Sequence, residues 1–471
     1  MSFVPPPDRP STGRYVVLAL CVAAVVAATI AVGRLESGGP AAAERAPAAT
    51  LLALDVQGKV RLYGSHIPGI QSGAMAAVGD PTEPDEAHRR LPTLAIRLAA
   101  LDLLSDDAES AQRLLEEAEG DEGLALLVQG LAAEPGSAKV AQAAEESSRL
   151  KPLWARRAFR LHLLDKAGDS EAVSREEGFI ASEAVESLIG LIVVAAVVMV
   201  VLSLGLLLWI IGAPALVIWR LSRIEPPRPP DVPTDETQEE SLPQEETSTA
   251  PSPLTAGEVL VAFFATQVFA GMGYRALGIG SEFTPYALLA IYVVATLAAS
   301  AVARWRMGPR VLAKAGFRRC PLWKLYVTPV VAALALPPVY ILLALIVSEV
   351  VGETPQSTNP ALSIMAGQED WLGRLAMFLT VVVAAPLAEE GMFRGVLYSS
   401  LRSRIGAIGA IAITSVLFGL VHLDPLVAPM LILVGIATAI LRELTDSLWP
   451  PAILHAIVNG GVTLMMFLLM G

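Results

Sequence analysis

The chain has 471 residues, 54% of them hydrophobic, with a formal net charge of −12. Aromatic residues are only 6%, so the apolar mass is Ala, Val, Leu and Ile, in runs long enough to cross a hydrocarbon core about 30 Å thick. These features exclude a soluble globular enzyme. The absence of a basic stripe with interleaved aromatics excludes a nucleic-acid partner, and two cysteines, Cys21 and Cys320, give no disulfide framework.

The first apolar run, Tyr15 to Val32, follows a Pro-rich tail carrying Arg9 and Arg14. A cleaved signal peptide is the alternative, since small residues follow at Pro40 to Ala43. The run is long for a signal core, however, and Arg34 and Glu36 precede those residues, so 1–33 reads as an uncleaved membrane anchor.

Residues 34–186 have a different composition. LPTLAIRLAALDLL, AESAQRLLEEAEG and LALLVQGLAAEPG repeat apolar positions at three and four, with acids opening several turns. ALDLLSDDAESAQRLLEEA and LHLLDKAGDSEAVSREEG share a leucine pair, a small polar turn and an acidic restart. The pattern predicts an extramembrane helical domain, either tetratricopeptide-like or an irregular bundle, offering a surface for a protein partner.

Residues 187–220 read as a transmembrane helix interrupted by Pro214 and closed by Arg220, Arg223 and Arg228. Residues 221–254, with IEPPRPPDVPTDETQEESLPQEETSTAPSP, are too rich in proline, acid and Ser/Thr to bury a core and read as a disordered cytoplasmic linker. From 255 to 471 apolar segments recur near 257–274, 284–303, 326–350, 372–398, 405–423, 426–441 and 450–470. The expectation is all-α, a polytopic helical membrane protein.

Arg304 to Lys324 holds seven basic residues and no acid, and Arg402 and Arg404 mark another basic turn. Val351 to Asp370 is acidic. The positive-inside bias puts the basic loops, the N-terminus and the linker in the cytoplasm and the helical domain outside.

Within the segment LAMFLTVVVAAPL, which reads as lipid-embedded, the chain continues AEEGMFRG, Ala388 to Gly395. Ionisable groups at such depth cost about 2.5–3.5 kcal/mol each on insertion scales and mark functional sites. Glu390 and Arg394 are i and i+4 and pair on one face, while Glu389 points about 100° away. His422 in VLFGLVHLDP and His455 in AILHAIVNGG lie on later apolar segments, and Asn459 shares a face with His455. A hairpin about a turn near 403 brings Glu389 and His422 within roughly one turn in depth. The same estimate leaves His455 nearer the cytoplasmic face, so closing the site requires tilted, short or broken helices. Pro425, Pro429, Pro450 and Pro451 permit that.

The three motifs Glu389-Glu390-x-x-x-Arg394, Phe418-x-x-x-His422 and His455-x-x-x-Asn459, in this order on separate apolar helices, resemble the CPBP family of intramembrane proteases. That family includes the type II CAAX prenyl endopeptidases and bacterial proteins linked to bacteriocin processing and self-immunity. The resemblance covers roughly Leu254 to Gly471. It implies an intramembrane endopeptidase of a bacterial cytoplasmic membrane, acting on a membrane-associated protein or peptide. Glu389 and His422 would activate water, His455 and Asn459 would stabilise the oxyanion, and Glu390 and Arg394 would support them. Glu389, His422 and His455 have the donor types for zinc with a position left for water. There is no His-Glu-x-x-His helix, and the reading takes no metal as obligatory, with zinc left open. The alternatives are a non-catalytic scaffold or self-immunity factor of the same fold, and a proton-coupled transporter, which inverted repeats would betray.

Overall fold

A computed structural model describes residues 48–64, 91–118, 122–212, 214, 250–280, 283–351, 364–365, 370–422, 424 and 427–470. The expected anchor 1–33 and positions 221–249 of the expected linker lie outside the described residues. The described residues contain helices and no strand, and seven of the helices are long and apolar enough to span a membrane. The chain is an all-α polytopic membrane protein.

The N-terminal region contains α1 (Ala48–Gly64), α2 (Pro92–Leu103), α3 (Ala108–Glu117), α4 (Glu122–Ala132), α5 (Ala138–Glu146), α6 (Leu153–Ala167) and α7 (Ser170–Leu207). Helices pair as α2/α3, α4/α5 and α6/α7, with a step of about thirty residues between pairs, near the tetratricopeptide period. The two stretches that look alike in sequence also fold alike at their turns. Asp107 caps α3 by accepting from Ser110 N, and Asp169 caps α7 by accepting from Ala172 N, each at 2.9 Å. A left-handed residue, Asp106 or Gly168, precedes each cap. Yet α6 packs back onto both α1 and α2, which closes the pairs into a bundle rather than an open solenoid. Its core includes Trp154, Phe159, Tyr63, Leu94 and Leu101.

Helix α7 runs without a break across the expected 186/187 boundary, because no proline interrupts Ser170–Leu207. It ends in a π turn, Leu208–Gly212, just before Pro214. The helical domain and the first described span therefore share one rod.

The membrane core comprises α8 (Pro253–Ala276), α9 (Thr284–Met307), α10 (Val311–Ala315), α11 (Leu322–Val351), α12 (Trp371–Phe378), α13 (Ala385–Glu390), α14 (Tyr398–Leu420), α15 (Ala428–Thr445) and α16 (Trp449–Met470). Ser252 caps α8 through Thr255 N, so the helix begins two residues inside the stretch read as linker. Two π turns, Leu379–Ala384 and Gly391–Leu397, join α12, α13 and α14 into one membrane pass. That pass folds back at Gly406 rather than near 403. Gly406 has φ 77° and ψ 176°, a conformation that a residue with a Cβ rarely adopts, so the helix continues past Arg402 before it turns.

The basic stretch gathers with the core's other turns at one end. Arg318 pairs with Asp446 at 3.1 Å, the Lys324 ammonium donates to Leu444 O at 3.1 Å, and Arg402 pairs with Glu443 at 2.8 Å. At the other end Asp370 caps α12 and accepts from Tyr286 OH, and the Arg374 guanidinium lies over Phe467. Helix α1 packs against α16. Burial of Lys59 on α1 depresses its ammonium below the usual lysine range; Asp55 opposes the shift and the charge of Arg374 adds to it.

Candidate active site

The paired glutamates sit at the end of the short α13, between the two π turns. A π turn adds a residue to the helical repeat, widens the helix and frees carbonyls for other partners, which is why such turns recur at functional sites. Here the Val381 carbonyl, in the first π turn, accepts the Asn459 amide at 2.9 Å.

Glu390 and Arg394 are fully buried and pair at 3.2 Å, as the i, i+4 spacing predicts. Arg394 also donates to the Gly435 carbonyl at 2.9 Å. A Cβ at Gly435 would lie 3.2 Å from that guanidinium and 2.9 Å from the Ser415 backbone, so α14, α15 and the arginine meet there only because the residue is glycine. The Arg394 guanidinium also stacks over Phe418, 4.6 Å from the ring centroid.

His455 Nδ1 lies 3.0 Å from Glu390 Oε1, and its Nε2 lies 4.0 Å from Glu389 Oε2. Straight helices would leave His455 nearer the basic end, and the short, broken helices here bring it in. The turn before α16 is not at the tip of the bundle. Leu448 reaches the level of Gly395, well short of the Gly406 fold-back, so His455 enters the site within two turns of the helix start. Pro450 and Pro451 fall in that first turn, where a missing N–H costs nothing.

His422 closes the end of α14. Its Nδ1 lies 2.8 Å from the Phe418 carbonyl, which only accepts, so Nδ1 carries a proton and donates it there. His422 makes no direct hydrogen bond to Glu389 among the described residues. The phenyl ring of Phe418 lies between the two imidazoles, 5.2 Å from His422 and 5.6 Å from His455, edge to face with both.

One participant was not visible in the motifs. Tyr292 of α9 donates its hydroxyl to Glu389 Oε1 at 3.2 Å. The only available signal was general: a lone tyrosine inside an apolar run must find a partner for its hydroxyl.

Glu389, His422 and His455 do not draw together as a metal set, and no three His, Cys, Asp or Glu side chains among the described residues do. The site instead joins two carboxylates, a guanidinium and two imidazoles in an apolar cage of Met392, Phe393 and Phe418.

Residues 371–461 match the family model described as type II CAAX prenyl endopeptidase Rce1-like. No curated protein and no solved structure matches the chain. The matched segment holds all three motifs and stops short of α8 to α11 and the helical domain.

Proposed function

Since residues 371–461 of its membrane core match a family model of CPBP membrane proteases, we propose that the chain is an endopeptidase that hydrolyses a peptide bond at or within the membrane. The observation that carries this reading is the 4.0 Å gap between Glu389 Oε2 and His455 Nε2. One water at about 2.8 Å from each atom fits that gap, with an angle of about 90° at its oxygen.

Glu389 acts as the general base. Oε1 is engaged by Tyr292, so Oε2 is the oxygen that takes the proton of the attacking water and returns it to the peptide nitrogen as the C–N bond breaks. His422, whose Nδ1 is held by the Phe418 carbonyl, has Nε2 left to assist as acceptor once substrate and water are bound. His455 has the other role. With Nδ1 donating to Glu390, its Nε2 can donate to an oxyanion only if the ring carries both protons. The surroundings balance that charge, because Glu389 and Glu390 ionised, with Arg394 and His455 cationic, make a buried group of net charge zero. When substrate enters, its carbonyl oxygen takes the donor from His455 while the water stays on Glu389. The second N–H of the Asn459 amide, the first being held by Val381, adds to oxyanion stabilisation. No step is routed through a metal, and the substrate is a protein or peptide reaching the site from the bilayer. The end carrying Arg318, Lys324 and Arg402 faces the cytoplasm, which puts the helical domain outside.

The test is cleavage of a membrane-peptide library by the purified chain in detergent, beside Glu389→Gln. Glutamine keeps the volume but cannot take the proton, so cleavage should fall about 10²–10⁴-fold, and exhaustive chelation should leave the wild-type rate unchanged. Equal cleavage by both proteins would overturn the mechanism. Peptide binding without any cleavage would favour the non-catalytic scaffold, and activity lost on chelation and restored by zinc would overturn the metal-free scheme.

A further inference from the structure

Helices α8 and α9 form an antiparallel pair beside the site, outside the segment that carries the motifs. From this pair Tyr292 reaches Glu389 Oε1 at 3.2 Å, and the Gln267 side chain of α8 hydrogen-bonds to the tyrosine in turn. The Tyr292 ring is set by edge-to-face packing on Phe263, with centroids 5.9 Å apart, and Phe263 is itself fully enclosed in the core.

A glutamate needs such a partner here. The terminal torsion of its side chain is broad and roughly two-fold, so rotamer preference alone does not decide which oxygen faces the water. Glu390 is held by Arg394 and His455, but among the described residues Glu389 has only Tyr292 as a close hydrogen-bond donor. We propose that Tyr292, steadied by Gln267, is a positioning residue for the Glu389 carboxylate. It holds Oε1 and leaves Oε2 aimed at the gap beside His455. The inference rests on the endopeptidase reading and extends it to a hairpin that the motifs do not include. It makes the site a product of two parts: the motif helices supply the reacting groups, and α8/α9 fixes the orientation of the base.

The full chain in detergent tests this with a peptide the wild type cleaves. Tyr292→Phe removes one oxygen and keeps the ring on Phe263. It should lower kcat about tenfold or more, the usual reach of a hydrogen bond to a charged group, with KM within about twofold. Gln267→Leu should shift kcat in the same direction by less. In a Glu389→Asp background, whose carboxylate is drawn back from the tyrosine, Tyr292→Phe should cost little more. A second readout does not depend on turnover: the wild type minus Tyr292→Phe infrared difference spectrum should contain a carboxylate band that vanishes in the Glu389→Gln background. Unchanged kcat in Tyr292→Phe, a loss carried by KM, or no carboxylate band would each overturn the proposal. A wild type no more active than Glu389→Gln would bring down the endopeptidase reading instead, and the infrared band would then still report whether the contact exists.

Discussion

In the helical domain Asp55 is fully buried, and both of its oxygens are engaged. Oδ1 accepts from Arg97 Nε at 2.8 Å and Trp154 Nε1 at 2.9 Å, and Oδ2 accepts from Arg97 Nη2 at 3.2 Å. In the membrane core Glu390 is equally buried, but Arg394 and His455 both converge on Oε1, while Oε2 and Arg394 Nε have no partner among the described residues. Glu389 beside it takes a single hydrogen bond from the described residues and stops 4.0 Å short of His455. The same kinds of group thus make a saturated lock in one region and an unfinished network in the other. A saturated network has nothing left to give a substrate. An unfinished one, in a setting where unsatisfied polar groups are costly, is held in place by the surrounding fold and is available for chemistry.

The largest effects should come from removing one charged partner from each network. Arg394→Leu leaves Glu390 buried without its charge partner, a loss of about 3–5 kcal/mol, read as loss of folded protein in detergent or a steep fall in melting temperature. Asp55→Ala strands Arg97 and the Trp154 N–H and should cost a similar amount, seen as exposure of α1, α2 and α6 to protease. The paired replacements then sharpen the comparison. Asp55→Leu with Arg97→Met should recover most of the lost stability, because apolar residues of similar volume are often neutral at such sites. Glu390→Leu with Arg394→Met should recover stability without recovering cleavage, since His455 would lose the carboxylate that orients it. Full activity in that double variant would show the core network to be only a second lock.

Next in size is Asn459→Ala. Its amide is tied to Val381 and its other N–H is the proposed oxyanion donor, so kcat should fall about 10²–10³-fold with KM little changed. A rise in KM alone would make Asn459 a clamp between α16 and the first π turn, which the lock-like reading of the core would require.

Much of this was legible in the sequence, and the reasons differ by region. Apolar run length is set by bilayer thickness, so the spans near 257–274, 284–303 and 326–350 are found at α8, α9 and α11. The Glu390–Arg394 pair follows from helical periodicity alone. The likeness of the two polar turns was visible because turn residues act locally, while their Asp caps are seen only in the structure. For His455 only a condition was legible, that straight helices of full membrane length would not bring it to the glutamates. The real path depends on a fold-back at Gly406, on π turns that no periodicity announces, and on an α15 that turns back short of the tip. Tyr292 was missed for a different reason. Its contact with Glu389 spans 97 positions and belongs to tertiary packing rather than to any motif.

The smallest predicted effect tests whether the helical domain, unlike the core, responds to pH only through incidental burial. His162 on α6 lies below the usual histidine range. Burial is the main cause and the Lys166 charge adds to it, against Asp165 and Asp106. Its ordinary value is 6.5. As pH falls through that value the unfolded chain takes up a proton that the folded domain refuses, so the unfolded state gains and domain stability declines. The decline levels off once pH passes below the folded value, where both states are protonated. His162→Gln removes the titration, so the difference from wild type isolates it from Asp102, whose carboxyl burial raises in the same domain. The measurement is hydrogen-exchange protection of α2 and α6 amides between pH 7.5 and 5.5, corrected for intrinsic exchange. Wild-type protection should fall roughly two- to fivefold relative to the variant, a small change because the ring is only partly shielded from solvent. A rise in relative protection as pH falls would mean that the protonated ring finds a partner in the folded domain, with Asp165 and Asp106 the acids whose charges act on it, and that the helical domain too contains a network left open to titration.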